Sequence, residues 1–180
     1  MAWPVTASET VYANRWITVE HQQVTKPDGT PGVYGLVTMN HDAVFVVAVT
    51  DADEILMVDI DRHTVGRSLE VPAGSTDGED PLLAAHRELL EETGYEATEW
   101  TRLGGMTALN GVCRAPEHVY LARGLRPAAD AAHHQHEEGI ASVRAIPVAD
   151  VLGLVRDGGI TDGETLAALL LALIELGRVA

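Results

Sequence analysis

The chain has 180 residues, 46% of them apolar, which fits one ordinary domain with a substantial core and excludes wholesale disorder. Its formal net charge of −15 at pH 7 argues against nucleic acid or an anionic membrane as a partner, because both are bound through Lys and Arg. The single cysteine, Cys113, excludes an internal disulfide, and the N-terminus has no signal-peptide pattern, so we expect a soluble, cytoplasmic protein.

The first forty residues are predicted to form a small antiparallel sheet of their own. Two strand-like segments, WITVEHQQV and VYGLVTM, flank TKPDGTPG, whose Pro-Asp-Gly is typical of a turn. Residues 41–180 are predicted to form the main domain, in which strands and helices alternate irregularly. This α/β (α+β) pattern favours a mixed sheet layered with helices. The predicted strands there are DAVFVVAVT, EILMVDID, SLEVPAG, HVYLARGL and IASVRAIPV.

Three helices are expected in the main domain. The first follows Asp80, a capping residue, and Pro81, which suits the first helical position, and Gly94 can end it in a left-handed conformation. The segment VADVLGLVRDG predicts a short second helix. The third starts near Thr161 and Glu164, which have capping-box spacing. Its sequence is apolar on nearly every side, so we expect it to be buried in the core or against a partner subunit, and it is too short to span a bilayer.

Three carboxylates crowd one face of the first helix. Glu88, Glu91 and Glu92 stand at i, i+3 and i+4, where they repel one another unless a cation compensates. Oxygen ligands of this kind suit Mg²⁺ or Mn²⁺ better than zinc. Arg87, four residues before Glu91, can orient it. Taken alone, the same residues also fit a solvated acidic surface with one Arg–Glu pair.

The wider stretch resembles the signature of the Nudix hydrolases, in which G, five residues, E and seven residues precede R-E-U-x-E-E-x-G-U. Here Gly74, four residues, Glu79 and seven residues precede Arg87 to Tyr95, so the first loop is one residue short. The resemblance implies a Nudix-like α/β/α sandwich and hydrolysis of a pyrophosphate with Mg²⁺, for which Mn²⁺ can substitute. It also implies metal ligands at Glu88 and Glu92, with Glu91 supporting or sharing the metal.

Outside this signature the chain is similar to the ADP-ribose pyrophosphatase branch of the family. The segment LEVPAG looks like its E-x-P-A-G, which implies that Glu70 lies near the substrate and that the Ala73 carbonyl is offered to a metal. LMVDIDRH retains only Arg62 of the branch's Q-Y-R, and NGVCRAPEHVYLARGL places Gly111 and Glu117 as substrate-binding residues. The segment GGITDGETLAALLLA resembles the C-terminal G-x-I-x-D-x-x-T segment.

The N-terminal residues resemble the extra sheet through which enzymes of this branch form homodimers. Trp16 and Tyr34 fall where aromatic rings sandwich an adenine base, although ordinary packing of strand aromatics explains them equally well. Stacking would hold a base without adding charge. Met39 and Ile60 replace residues that some relatives use for substrate, so the sequence leaves the base and sugar open.

The branch also takes a catalytic base from a late loop. In HHQHEEGIAS the candidates are Glu138, which the alignment prefers, and Glu137; both also fit a polar loop tip. The histidines His133, His134 and His136 are expected to be solvated. Arg62 is a candidate for phosphate contact, and Arg114 is either a second one or a surface arginine.

The function implied is hydrolysis of a nucleoside diphosphate sugar, first of all ADP-ribose to AMP and ribose 5-phosphate. In that reaction Glu138 or Glu137, Glu91 and Arg87 are the catalytic residues. Two alternatives stay open: a Nudix hydrolase acting on a nucleoside triphosphate or a dinucleotide, and a Nudix module that senses a nucleotide without catalysis. A module without catalysis would tend to lose its metal-binding glutamates, whereas all three are present here.

Overall fold

The computed structural model describes residues 3–128 and 140–179, which form two sheets and three helices. The strands are β1 (Val5–Ala13), β2 (Ile17–Thr25), β3 (Pro31–Met39), β4 (Ala43–Val49), β5 (Glu54–Arg62), β6 (Gly66–Glu70), β7 (Ala73–Ser75), β8 (Tyr95–Thr107), β9 (Cys113–Arg114), β10 (Pro116–Pro127) and β11 (Ile140–Pro147). The helices are α1 (Pro81–Thr93), α2 (Val148–Arg156) and α3 (Gly163–Glu175). No helix among these residues is long and apolar enough to cross a membrane.

The larger sheet is the middle layer of three. It runs in the order β11-β5-β4-β10-β8, with β6 paired to β5 and β7 to β4; β4 and β10 are parallel and the other pairs antiparallel. Side chains alternate across β4, so Val46 packs under α1 with Ala85 and Leu89, whereas Val47 faces α2 and α3. The predicted α/β/α sandwich with a mixed sheet is confirmed.

The smaller sheet holds β1, β2, β3 and β9 in that order. β2 and β3 are antiparallel, as the sequence predicts, and β1 pairs antiparallel with β2. Cys113–Arg114 adds a parallel fourth strand, so this sheet is mixed. The pairing also brings a late segment of the chain against the first forty residues. The division of the chain at residue 40 stays a prediction.

Several local features differ from the sequence predictions. β1 was not resolved as a separate strand in the sequence, because all nine of its residues are exposed and it lacks an apolar run. SLEVPAG, predicted as one strand, is β6 and β7 divided at Pro72. The N-cap of α3 is Asp162 and not Thr161: its carboxylate accepts the Thr165 N–H at 2.7 Å. α3 is also less buried than its sequence implies.

The outer face of α3 carries exposed apolar residues. Leu170 and Ile174 are 53% and 54% exposed, whereas Ala168, Leu169 and Leu173 are buried against the sheet. Burial in the core therefore accounts for one side of the helix only. By contrast, α1 matches the prediction: Asp80 accepts the Leu82 N–H at 2.9 Å, and Gly94 ends the helix with φ at 76°.

Candidate active site

The acidic turn of α1 is organised by Arg87. Glu88 and Glu92 are only 5% and 3% exposed, whereas Glu91 is half-buried. Arg87 Nη1 donates to Glu88 at 2.7 Å and to Glu91 at 3.0 Å. Burial lowers the pKa of Arg87, but the charge of Glu88 and the hydrogen bonds to both carboxylates outweigh it, and its pKa lies above the ordinary value. Arg87 thus fixes two of the three carboxylates.

The loop between β7 and α1 is fastened to the helix by the same arginine. Arg87 Nη2 donates to the Ser75 carbonyl at 2.8 Å, and Nε donates to Glu79 at 3.3 Å. The loop turns where the Glu79 N–H donates to the Thr76 carbonyl at 2.8 Å, with Gly78 at a φ of 87°. Although it is one residue short, the loop still brings Glu79 to Arg87.

The backbone of β7 lies directly against the buried carboxylates. The Ala73 N–H donates to Glu92 Oε2 at 2.9 Å. At Gly74 a Cβ atom would stand 2.2 Å from Glu88 Cδ and Oε1, closer than atoms can approach. Only glycine leaves the Glu88 carboxylate in its place, which is a physical reason for the first residue of the signature.

A cavity of about 550 Å³ opens over these carboxylates. Six of its lining residues were predicted from the sequence as site residues: Trp16, Arg62, Ala73, Arg87, Glu88 and Glu92. The others are Arg15, His41, Ile60, Gly74, Ser75 and Asp77. The structure thus gathers carboxylates, arginines and an indole around one space, although Trp16 and Glu92 are more than seventy positions apart in the sequence.

Arg15 is a lining residue that the sequence did not single out. Its guanidinium lies 4.1 Å from the ring centroid of Trp16, a cation–π contact. The contact holds the indole at the edge of the cavity and adds positive charge there. Its position next to Trp16 was the available signal, but a lone arginine in a turn has no pattern that distinguishes it from a surface residue.

Arg62 and Glu70 form an ion pair at the side of the cavity. Arg62 Nη2 donates to Glu70 Oε2 at 2.6 Å, and Arg62 Nε donates to both carboxylate oxygens at 3.2 Å. This hydrogen bonding raises the pKa of Arg62, so the guanidinium remains charged. Glu70 thus orients Arg62 in this structure, and its own contact with substrate stays a prediction.

Glu117 is buried like Glu70, with 6% of its surface exposed. It lines a separate cavity of about 210 Å³ together with Glu164, a residue that the sequence analysis used only for helix capping. Burial raises the pKa of Glu117 to about 7, and the charges of Glu164 and Asp162 act in the same direction.

We expect Glu117→Gln to raise the thermal midpoint by a few degrees at pH 8 and to leave it unchanged at pH 4. The raised pKa means that the folded protein loses stability as the pH rises from about 4.5 to about 7, because the unfolded chain ionises Glu117 first. A neutral amide removes that loss. Thermal melts at both pH values test this, with the exposed Glu96→Gln as the matched control. A difference independent of pH would contradict it.

Tyr34 and Gly111 lie away from the carboxylates. The Tyr34 hydroxyl donates to the Gly111 carbonyl, and Tyr34 meets Trp3 edge to face with ring centroids 5.8 Å apart. Tyr34 lines a cavity of about 510 Å³ on the smaller sheet together with Arg114, whereas Trp16 lines the cavity over α1. Within one chain the two predicted stacking rings are not brought together.

The remaining predicted site residues divide into two groups. Glu91 pairs with Arg87 but is not among the residues that line the cavity. Glu137 and Glu138 lie outside the described residues, as do His133, His134 and His136. The choice between Glu138 and Glu137 as the base stays a prediction.

The donor set over α1 fits a hard divalent cation. Within residues 3–128 and 140–179 no three His, Cys, Asp or Glu side chains stand close enough together to hold a metal ion by themselves. Mg²⁺ needs no such cage, since it is usually held by one or two carboxylates and completed by water and substrate phosphate. Glu88 and Glu92, one helical turn apart at the cavity, supply that pair.

Comparison with protein families agrees with this geometry. Residues 39–169 match the family described as NUDIX domain. This chain belongs to the Nudix family of hydrolases. Residues 3–37 match a second family, described as the nucleoside diphosphate sugar hydrolase N-terminal domain. Members of the Nudix family generally use divalent metal ions, which suits the carboxylate pair.

Individual relatives of this Nudix chain cover most of its length. It is 36% identical over 168 residues to an ADP-ribose pyrophosphatase of Mycobacterium tuberculosis, a match that covers 91% of the chain and 80% of the relative. It is 32% identical over 165 residues to an ADP-ribose pyrophosphatase of Bacillus subtilis, covering 91% and 88%. A crystal structure of an ADP compounds hydrolase superposes with a TM-score of 0.84 at 26% identity and covers 99% of this chain and 98% of that one.

Proposed function

We propose that this Nudix hydrolase cleaves the pyrophosphate bond of a nucleoside diphosphate sugar, with ADP-ribose as the first candidate. The products would be a nucleoside monophosphate and a sugar phosphate, AMP and ribose 5-phosphate in that case. The observation that carries the proposal is the cavity in which Trp16 and Arg62 join Glu88 and Glu92. Such a substrate requires an aromatic face for its base, a guanidinium for its phosphates and a carboxylate pair for a cation.

The cofactor in this proposal is Mg²⁺, with Mn²⁺ as a substitute. Glu88 and Glu92 would hold it, with Glu91 supporting or sharing it and the Ala73 carbonyl as a further oxygen ligand. When bound, such a cation neutralises phosphate charge and lowers the pKa of water. It would also reconcile a chain of net charge −15 with an anionic substrate.

The chain's own groups then have distinct tasks. Arg87 holds Glu88 and Glu91 through hydrogen bonds of 2.7 and 3.0 Å, which keeps the carboxylate pair oriented before substrate arrives. Arg62, held by Glu70, presents a charged fork to a phosphate. Glu138 or Glu137 would remove the proton from the attacking water as general base.

A homodimer through the smaller sheet is part of the proposal. Tyr34 pairs with Gln22, whereas Met39 pairs with Ile17 beside Trp16, so about 17 Å of strand separates the two aromatic positions. One chain therefore does not close both rings on one base. Joining two protomers through the exposed apolar residues of this sheet would bring Trp16 of one to Tyr34 of the other. A solution mass of a single 19.2 kDa chain by light scattering would contradict this.

The cellular compartment proposed is the cytoplasm. Cys113 is a free thiol in a half-buried position, and a reducing compartment keeps it so. Detection of the native protein in a membrane-free cytoplasmic fraction tests this assignment, and its recovery only from a secreted fraction would contradict it.

A substrate panel with Mg²⁺ tests the proposed activity. The purified protein is incubated with ADP-ribose, other nucleoside diphosphate sugars, ATP and a diadenosine polyphosphate, and the products are separated by ion-exchange chromatography. We expect AMP and ribose 5-phosphate in equal amounts from ADP-ribose. Absence of any phosphate-bearing product from every diphosphate sugar would sink the proposal. Tight ADP-ribose binding by calorimetry without turnover would identify a sensing module instead.

A further inference from the structure

A second cavity of about 340 Å³ adjoins the one over α1. The two share Arg62, Ala73 and Gly74, so the backbone of β7 lies between them. A substrate whose pyrophosphate lies at Glu88 and Glu92 can therefore extend into this second space, which is large enough for part of a small-molecule ligand. The signature and the family resemblance assign no substrate-binding or metal-binding role to the residues on its far side.

That far side is acidic. Asp162 and Glu164, at the start of α3, line the second cavity, and Glu164 also lines the cavity of about 210 Å³ that Glu117 lines. We call Glu117, Asp162 and Glu164 the acidic wall. In the part of the chain that the structure describes, the Glu117 carboxylate has no hydrogen-bond or ion-pair partner, although only 6% of the residue is exposed. A carboxylate that faces a cavity and has no partner among the described residues is free to accept donors from a ligand.

The charge of the acidic wall is not balanced by the described residues around it. The one arginine that lines the second cavity, Arg62, is already paired with Glu70 at 2.6 Å. The Asp162 carboxylate caps α3, where the helix N-terminus offsets part of its charge. Glu117 and Glu164 face one another's charge, and burial together with the neighbouring carboxylates raises the pKa of both.

The acidic wall suits a substrate group with several donors, because its carboxylates are spread over two cavities. An ammonium group on a sugar ring meets separated carboxylates, because its three N–H donors point in different directions and the ring's hydroxyls reach further. A phosphate in the same place would meet like charge and would be disfavoured.

We propose that the acidic wall is a specificity determinant, selecting a sugar with a primary ammonium over the same sugar with a hydroxyl and disfavouring a further phosphate. The proposal rests on the proposed function, since it concerns the half of the substrate beyond the pyrophosphate. It singles out Glu164, which lines both cavities, as the residue whose charge decides the selection.

The test compares ADP-glucosamine with ADP-glucose, two substrates that differ only in an amine and a hydroxyl. In the wild-type protein we expect kcat/KM for ADP-glucosamine to exceed kcat/KM for ADP-glucose at least about tenfold, because charge-assisted hydrogen bonds are stronger than neutral ones. Glu164→Gln keeps the volume and is expected to lower this ratio about fivefold or more, through a fall in kcat/KM for ADP-glucosamine. Glu175→Gln, exposed at the other end of α3, is the matched control and leaves the ratio unchanged.

Two results would overturn the acidic wall as a selector: a wild-type ratio at or below one, or a ratio that Glu164→Gln does not change. If the proposed function is wrong, neither nucleotide is hydrolysed. The preference for ADP-glucosamine over ADP-glucose is then measured as the ratio of their dissociation constants by calorimetry. Equal affinities for the two nucleotides would overturn the inference.

Discussion

Glu92→Gln is expected to reduce turnover by roughly two to four orders of magnitude, since loss of cation-based charge stabilisation removes several kcal/mol and each 1.4 kcal/mol is tenfold. Glu92 is 3% exposed and lines the cavity, and its Oε2 accepts the Ala73 N–H at 2.9 Å. A glutamine can keep that hydrogen bond through its own carbonyl oxygen. It replaces the other carboxylate oxygen with an NH₂ group, which cannot ligate a cation.

The fold is expected to survive this change, so the loss is chemical. A neutral amide of the same shape removes a buried charge and retains the hydrogen bond to β7. Circular dichroism melts and kcat, measured over a range of Mg²⁺ concentrations, separate the two effects. Glu96→Gln makes the same change three residues beyond the end of α1 at an exposed position and should leave kcat unaltered. Near-normal turnover of Glu92→Gln would remove Glu92 from the metal set.

The part of this site that lies within helix α1 could be predicted from the sequence. Helix α1 could be predicted with its cap and its end because Asp80, Pro81 and Gly94 act on the backbone within a few residues. The family resemblance then identified the carboxylates, since their spacing of three and four residues is a property of one helix. Both statements depend on short-range geometry, which a sequence displays directly.

Contacts between segments that are far apart in the sequence could not be predicted in this way. The Arg62–Glu70 pair depends on the register of β5 with β6, and the pairing of β9 with β3 joins residues more than seventy positions apart. Glu164 was interpreted as a capping residue, but the fold brings it beside Glu117. The pattern of a single sequence does not identify such neighbours, because many registers satisfy the same hydrophobic pattern.

Gly74→Ala should inactivate the enzyme while leaving it folded, which tests the geometry of β7 independently of any carboxylate substitution. The added Cβ atom would stand 2.2 Å from Glu88 Cδ and Oε1 and 2.5 Å from Oε2, so the Glu88 carboxylate has to move. That movement is easy for the end of a flexible side chain. It takes a predicted metal ligand out of position, however, and the ion pair of 2.7 Å with Arg87 changes with it.

We expect kcat to fall roughly a hundredfold or more in this variant, because a displacement of about 1 Å at a positioned group costs about that much. Gly153→Ala is the matched control: apart from its chain neighbours and the backbone of its own helix, no atom lies within 4 Å of the added Cβ. The residue is inside α2, where alanine is the better helix former. That control should retain kcat and gain slightly in thermal midpoint. If Gly74→Ala kept full activity, the close approach of β7 to Glu88 would have no part in the chemistry, and the glycine at the start of the signature would need another explanation.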